Sequence, residues 1–474
     1  MKSQKFFVYR HPEFRRRTEQ DLQEYDKTDF DDIVAVIPYR NSEFPQEHDY
    51  SRRRPSEDWD YIKYDHSITQ ESFSGKVPDI VLDILEIATA TFAADKAVNR
   101  EVDIDEKNID DSLLETRNIK LQIPVLSPAL ATEEAEQLYS DMVSHMTHDI
   151  VEYEFHYIEP VESVGQVSTP SNIDAVGLLS DGLDSAAGIY HNKSEGINSV
   201  HTTVNYGQGV KSKAENIADQ AGIDHRAYRV KSDRSREYTQ FSRGLLHLSF
   251  AVAEALAVGT DEIHCFENGI MARFLILSDG WMTTRTVSTQ FLAYFNEILS
   301  TVLEQPLDVE NPFRDLTKTE ITEKVPDAAV VKQTVSCPHS RWTEGNNCGL
   351  CIPCLIRNIG IIASDHEISL DELSKYNALL EADFEEHSLD FDVSEDGLNP
   401  SASSSEVFFK GIAEIAFFCR RVLEDSPREL ADEYSELLDE SIYNQHYRFA
   451  ENFVDAVETV AAKNSTIQIL ISGS

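Results

Sequence analysis

Positive charge is what this sequence has least of: 42 lysines and arginines face 84 aspartates and glutamates, a formal net charge of -42 over 474 residues. The excess is spread along the whole chain rather than gathered in one tail. Affinity for nucleic-acid phosphates rests on Lys and Arg displacing counterions, so this field excludes duplex DNA as a primary partner. Dispersed acidity also keeps a protein soluble in concentrated salt, where screening removes most of the self-repulsion, and a halophilic cytosol is the expectation. Long apolar runs are missing as well. No stretch approaches the roughly 20 residues a membrane helix needs, and residues 1–17 are polar and charged, without the apolar core or cleavage site of a secretory signal. A cytoplasmic protein is expected. Cysteine is scarce, six in all, and unevenly placed. Cys337, Cys348, Cys351 and Cys354 fall in one short stretch, whereas Cys265 and Cys419 stand alone in apolar contexts and read as buried small hydrophobes. In a reducing compartment the cluster favours metal over disulfides.

What is present is enough apolar material, 41% of residues, for real cores, in a chain long enough for two or three domains. Residues 1–172 open on a polar stretch, then offer a helical pattern over 77–98 and β-branched, aromatic runs at 119–125 and 150–157, which together read as an N-terminal α+β domain of unknown role. A Gly, Ser and Pro-containing linker is expected over 163–173. Residues 173–364 alternate: strands at 175–179, 200–206, 225–230 and 262–266, helices at 184–192, 211–221 and 245–258. That alternation implies βαβ crossovers and a doubly wound, mainly parallel α/β sheet, whose ligands sit at the carboxyl ends of strands. Residues 365–474 are acidic and helical in period, clearest over 406–423 and 443–462, with a polar break at 401–405. They read as a helical region packed on the rest.

Between the first strand and first helix of the middle region stands Ser180-Asp181-Gly182-Leu183-Asp184-Ser185, preceded by Leu179. A tight turn running into a helix N-terminus presents backbone N–H groups and a positive dipole end to an anion. Ser180 and Ser185 add hydroxyl donors, and Asp184 is placed to hold Mg²⁺ or orient a ribose or phosphate. The bland alternative is an Asp-Gly turn with an acidic helix start, which any βα connection can use.

The spacing Cys337-x10-Cys348-x2-Cys351-x2-Cys354 is the strongest physical signal. Thiolates two residues apart can converge on one tetrahedral ion, and Gly345 and Gly349 supply the turns this needs. Four sulfurs leave no open position, so a structural Zn²⁺ is expected; an iron–sulfur cluster is the alternative.

The segment 180–185 resembles the SGGxDS motif of PP-loop ATP pyrophosphatases, with Asp181 in place of the first glycine. With the cysteine pattern downstream, the chain resembles the 7-cyano-7-deazaguanine synthase family. Asn205-Tyr206-Gly207-Gln208 is similar to that family's DYGQ element, Ser242-Arg243-Gly244 to its GRN-type turn, and Asn311-Pro312-Phe313 with Lys318 to the segment ahead of its zinc knot. The resemblance implies ATP, Mg²⁺ and Zn²⁺ as cofactors, and adenylation of a 7-carboxy-7-deazaguanine followed by attack of ammonia. Asp184, Arg243 and Lys318 would then be catalytic, with Tyr206, Gln208, Lys211 and Arg285 joining 179–185 around the nucleotide. The flanking regions resemble longer relatives encoded beside antiviral genes in prokaryotes, through 88–95, 146–149, 267–269 and 284–286. Those relatives imply an alternative acceptor, a partner protein in place of ammonia. Asp181 raises a third reading, a nucleotide-binding subunit with reduced catalysis. No membrane partner is expected, and a homo-oligomer is compatible with everything above.

Overall fold

The computed structural model describes residues 3–8, 32–38, 60–66, 77–98, 116–158, 172–205, 210–232, 241–273, 275, 285, 287–337, 345–349, 351–369, 372–374 and 404–461. Ten strands form one sheet: β1 Ser3–Val8, β2 Asp32–Pro38, β3 Asp60–His66, β4 Asn118–Val125, β5 Ile150–Tyr157, β6 Ala175–Leu178, β7 Ser199–Asn205, β8 His225–Ser232, β9 Glu262–His264 and β10 Asp308–Glu310. Their order is β10-β9-β6-β7-β8-β3-β2-β1-β4-β5. Every pairing is parallel except β3 with β8. Each half therefore carries the doubly wound order third-second-first-fourth-fifth, and the halves join antiparallel through their third strands, as a local two-fold would join them.

The helices repeat the relation. On the first half, α1 (Asp79–Ala97) and α2 (Glu133–Thr147) follow β3 and β4. On the second, α3 (Leu183–Ser194), α4 (Val210–Ala221), α5 (Arg243–Val258), α6 (Gly269–Arg273) and α7 (Thr289–Val302) follow in chain order. The equivalents α1 and α5 pack on each other, as do α2 and α7. They share one core, in which Leu85, Leu121 and Phe155 meet Leu246, Phe250 and Ile298. Nearly every residue of α5 is buried, which is why its sequence is apolar all round rather than striped. The opposite face of the second half is covered by α3 and α4, through Leu183, Ala187, Ile217 and Ala218.

After β10 come α8 (Lys318–Thr322), α9 (Ala328–Gln333), α10 (Ile352–Ile362), α11 (Ser404–Glu424), α12 (Pro427–Leu430) and α13 (Glu440–Ala461). A third core joins α10, α11 and α13 with the four clustered cysteines. Among the described residues no helix is long and apolar enough to cross a membrane.

The doubly wound α/β expectation is met, and the helices and strands expected over 77–98 and 175–258 lie where the sequence pattern puts them, within two residues at nearly every boundary. The N-terminal region differs from the α+β expectation: β1 to β5 pair only in parallel among themselves and extend the same sheet. Parallel neighbours need crossovers rather than hairpins, so the turn signals that mark an antiparallel meander are absent. The expected linker falls mostly outside the described residues. The polar break at 401–405 ends inside α11, which begins at Ser404.

Candidate functional site

The first strand of the second half, β6, lies between β7 and β9, where the strand order reverses. Its carboxyl end leads into 179–185, and that of β9 into Glu267-Asn268. Such a reversal opens a crevice between two βα connections. Leu179 and Leu183 are fully buried in the core and anchor the loop from below. Ser180 Oγ lies 2.9 Å from Ser185 Oγ and accepts the Gly182 N–H at 3.1 Å, closing the turn over its own hydroxyls. Gly182 precedes α3 without a side-chain cap, so the first amides of α3 have no acceptor within the helix. Val335 N donates to Asp181 O at 2.6 Å, tying the loop to the segment that leads into the cysteines.

Below the loop is a buried charged cluster. Asp184 Oδ1 accepts from Lys318 Nζ, and Oδ2 accepts from the backbone and side-chain nitrogens of Asn268, each at 2.9 Å. Asn268 Nδ2 also reaches Glu267 Oε1 at 2.7 Å. Burial pushes the Glu267 carboxyl well above the usual range, and the neighbouring Asp184 charge pushes the same way. Burial would raise Asp184 too, but Lys318 and the donors on Glu267 and Asn268 outweigh it and hold Asp184 below its ordinary value. The cluster thus holds one ion pair, between Asp184 and Lys318, and favours the protonated form of Glu267, which lowers the cost of carrying three ionisable groups in the interior. Gly360 on α10 makes this possible: a Cβ there would lie 2.5 Å from Lys318 Cγ.

Asp181 is half-buried. Burial raises its carboxyl, against the pull of Lys213 and Arg243 nearby. Arg243 is the first residue of α5 and lies close enough to Asp181 to pull on its carboxyl. Lys213, absent from the sequence reading, also donates to Gly345 O in the cysteine segment. Lys211 does not join the site; it pairs with Glu215 at 3.4 Å with about half of its side chain exposed. Arg285 is turned toward α2, donating to His145 O at 3.1 Å. Tyr206 and Gln208 lie outside the described residues. Asn268 and Lys213 complete the cluster; the first was visible only within the Glu267-Asn268-Gly269 resemblance, the second only as one of two lysines two residues apart.

The C-terminal helix holds the turn that delivers Lys318. Gln445 on α13 donates to Arg314 O and Leu316 O at 3.1 and 2.9 Å, Arg448 donates to Glu320 Oε1 at 2.8 Å, and Asn452 donates to Thr317 Oγ1 at 3.2 Å.

The sulfurs of Cys337, Cys348, Cys351 and Cys354 all lie within 4.8 Å of one another, and all four residues are buried. Cys337 and Cys351 are 3.9 Å apart, Cys348 and Cys354 3.8 Å. A tetrahedral ion with metal–sulfur bonds of about 2.3 Å spaces its sulfurs about 3.8 Å apart, so the four fit one ion of zinc's size. Backbone N–H groups of Cys348 and Cys351 point at Cys337 and Cys348 sulfurs at 3.4 Å, as thiolates bearing charge require. A four-iron cluster, with each cysteine on its own iron, holds its sulfurs farther apart.

Residues 242–364 match the family described as QueC, Queuosine biosynthesis protein QueC. No curated protein matches the chain. The matched segment begins at the cap of α5 and ends just past α10, so it spans Arg243, Glu267, Asn268, Lys318 and the four cysteines. The loop 179–185 lies ahead of it and is tied to it by Asp184 meeting Asn268 and Lys318.

Proposed function

We propose that this QueC-like chain uses ATP to adenylate the carboxylate of a 7-carboxy-7-deazaguanine-type base. The observation that carries the reading is the contact of Asp184, in the phosphate loop, with Lys318 and Asn268, both inside the QueC-matched segment. A carboxylate is a poor electrophile because its leaving group would be oxide. Attack of its oxygen on the α-phosphorus of ATP expels pyrophosphate and replaces that leaving group with AMP. Ammonia then adds to the acyl carbon, AMP departs, and the amide remains; a second activation of the amide oxygen, with loss of AMP and the remaining N–H protons, gives the nitrile.

In this reading the α3 amides, Ser180 and Ser185 hold phosphate oxygens, while Arg243 and Lys213 offset the charge that develops on the departing pyrophosphate. Asp184, once parted from Lys318, and Glu267, once deprotonated, are the carboxylates that would hold Mg²⁺, which when bound would supply charge neutralisation at the phosphates. Zn²⁺ on the four cysteines serves structure, holding α10 and through Gly360 the position of Lys318.

Asp181 favours a second reading, a nucleotide-binding subunit with slowed turnover, because its carboxyl sits beside the same cations that would meet pyrophosphate. The deciding experiment is incubation in high salt with ATP, Mg²⁺, 7-carboxy-7-deazaguanine and ammonia, read by mass spectrometry. AMP with amide or nitrile is expected. AMP or a stable adenylate without either product would transfer the reading to a protein acceptor, and no AMP at all would favour the binding subunit.

A further inference from the structure

Two motifs in the first half, 88–95 and 146–149, have no role in the nucleotide site as described, yet the fold brings their acidic residues to one point. Arg117, at the start of β4, is fully buried. Its guanidinium meets Asp149 through Nε at 3.2 Å and Nη2 at 2.6 Å, and Asp95 Oδ1 through Nη2 at 2.7 Å. Its Nη1 donates to the carbonyls of Asp95 and Val98 at 3.0 and 2.7 Å. Two buried carboxylates thus share one guanidinium. The other oxygen of Asp95 reaches the second half: Oδ2 accepts from Ser242 N at 3.1 Å and from Ser242 Oγ at 2.6 Å. Ser242 is the cap residue of α5 and makes no cap bond with its own side chain. The anion at the positive end of α5 is therefore supplied by the other half of the molecule.

We infer that Asp95, held by Arg117, is a positioning residue for the nucleotide site: it caps α5 from the helix packed against it and so fixes Arg243, the next residue, toward the phosphate loop. The first half then acts as a built-in partner subunit, related to the second by the local two-fold and required by its site. The inference rests on the proposed ATP chemistry only in the part that concerns turnover. Asp149 provides the comparison, since it touches Arg117 but not Ser242.

The test compares Asp95→Asn, Asp149→Asn and Ser242→Ala with the unaltered protein, measuring AMP formation, thermal unfolding and amide exchange over 242–246. Asp95→Asn is expected to lower kcat at least tenfold with KM for ATP within about twofold, while unfolding shifts no more than in Asp149→Asn. Asp149→Asn should keep kcat within about threefold. Ser242→Ala removes one of the two bonds from the far end and leaves the Arg117 pair intact, so it should reproduce part of the kcat loss even where Asp95→Asn folds poorly. Unchanged kcat in Asp95→Asn and Ser242→Ala, or losses that follow stability equally in all three, would overturn the inference. If the unaltered protein forms no AMP, the ATP reading fails on its own, and exchange decides the clamp: faster exchange over 242–246 in Asp95→Asn than in Asp149→Asn supports it, and equal exchange refutes it.

Discussion

On the proposed ATP reading, Asp181 stands where a glycine would let phosphate approach the backbone, and Lys213 and Arg243 lie near enough to pull on its carboxyl. A unit charge about 4 Å from a phosphate oxygen costs about 4 kcal/mol at the screening typical near a protein surface, before relaxation. Because burial raises the Asp181 carboxyl, the protonated form is easier to reach than for a free aspartate, and a bound pyrophosphate raises it further. The sign follows: ATP affinity should strengthen as pH falls from 7.5 toward 5.5. Asp181→Asn keeps the shape and removes the charge, so titration calorimetry should show ATP bound at least tenfold tighter at pH 7.5 and the pH dependence flattened. Equal affinities at pH 7.5 would mean that the carboxyl points away from the phosphates. Single residues were legible in the sequence only where spacing constrains them. The cysteine cluster declared itself, and 180–185 forms the strand-to-helix turn that its residues imply, but Lys211 and Lys213 are alike on paper. Two positions apart on a helix means nearly opposite faces, and only the packing of α4 decides that Lys213 turns to the loop.

At the scale of elements, α10 couples the cysteines to the charged cluster. Cys351 caps it, Cys354 lies in its first turn, and Gly360 in its last turn admits Lys318. Four buried sulfurs without a cation repel one another, and hydrogen bonding with Cys337, Cys348 and Cys354, followed by burial, pushes Cys351 well above the usual thiol range. Cys351→Ser should therefore lose bound zinc, about one ion per chain by elemental analysis, and unfold at least about 10 °C lower, at about 2–4 °C per kcal/mol for domains of this size. Iron with visible absorbance, or a metal-free protein of equal stability, would contradict a structural zinc. Elements in the second half were readable because apolar runs alternate with helical periods. The first three strands were not. Phe6-Phe7-Val8 and its counterparts are short runs within polar sequence, and parallel pairing leaves no turn chemistry beside them. Strand order was equally hidden, since β6 finds β9 across five intervening elements.

Over the whole molecule, packing between layers buries histidines as well as carboxylates. His201, with no exposure, is held neutral by burial, its pKa lowered to about 3, and its Nδ1 has no hydrogen-bond partner among the described residues. His247 on α5 is lowered to about 3 and His446 on α13 to about 4, again chiefly by burial. These three sit in different layers, so their titration reports on the assembled fold rather than on one element. A histidine whose folded pKa lies below its unfolded value near 6.5 takes up a proton on unfolding. Stability is therefore whole above pH 6.5 and is lost as pH falls toward 4, by about 1.4 kcal/mol per pH unit for each histidine in that window. The net charge of -42 titrates over part of the same range, and its repulsion should be suppressed by working at about 1 M salt, where the screening length is about 3 Å. Denaturant unfolding between pH 7.5 and 4.5 in that salt should show a steep fall in midpoint. His201→Gln removes one titrating group, so whatever it does to stability at pH 7.5, its slope between pH 6 and 4.5 should be shallower by about one proton. A slope identical to that of the unaltered protein would mean that His201 is protonated or solvated in the folded state, and that the layer between β7 and α3 is looser than its packing against Gly177 and Phe266 implies.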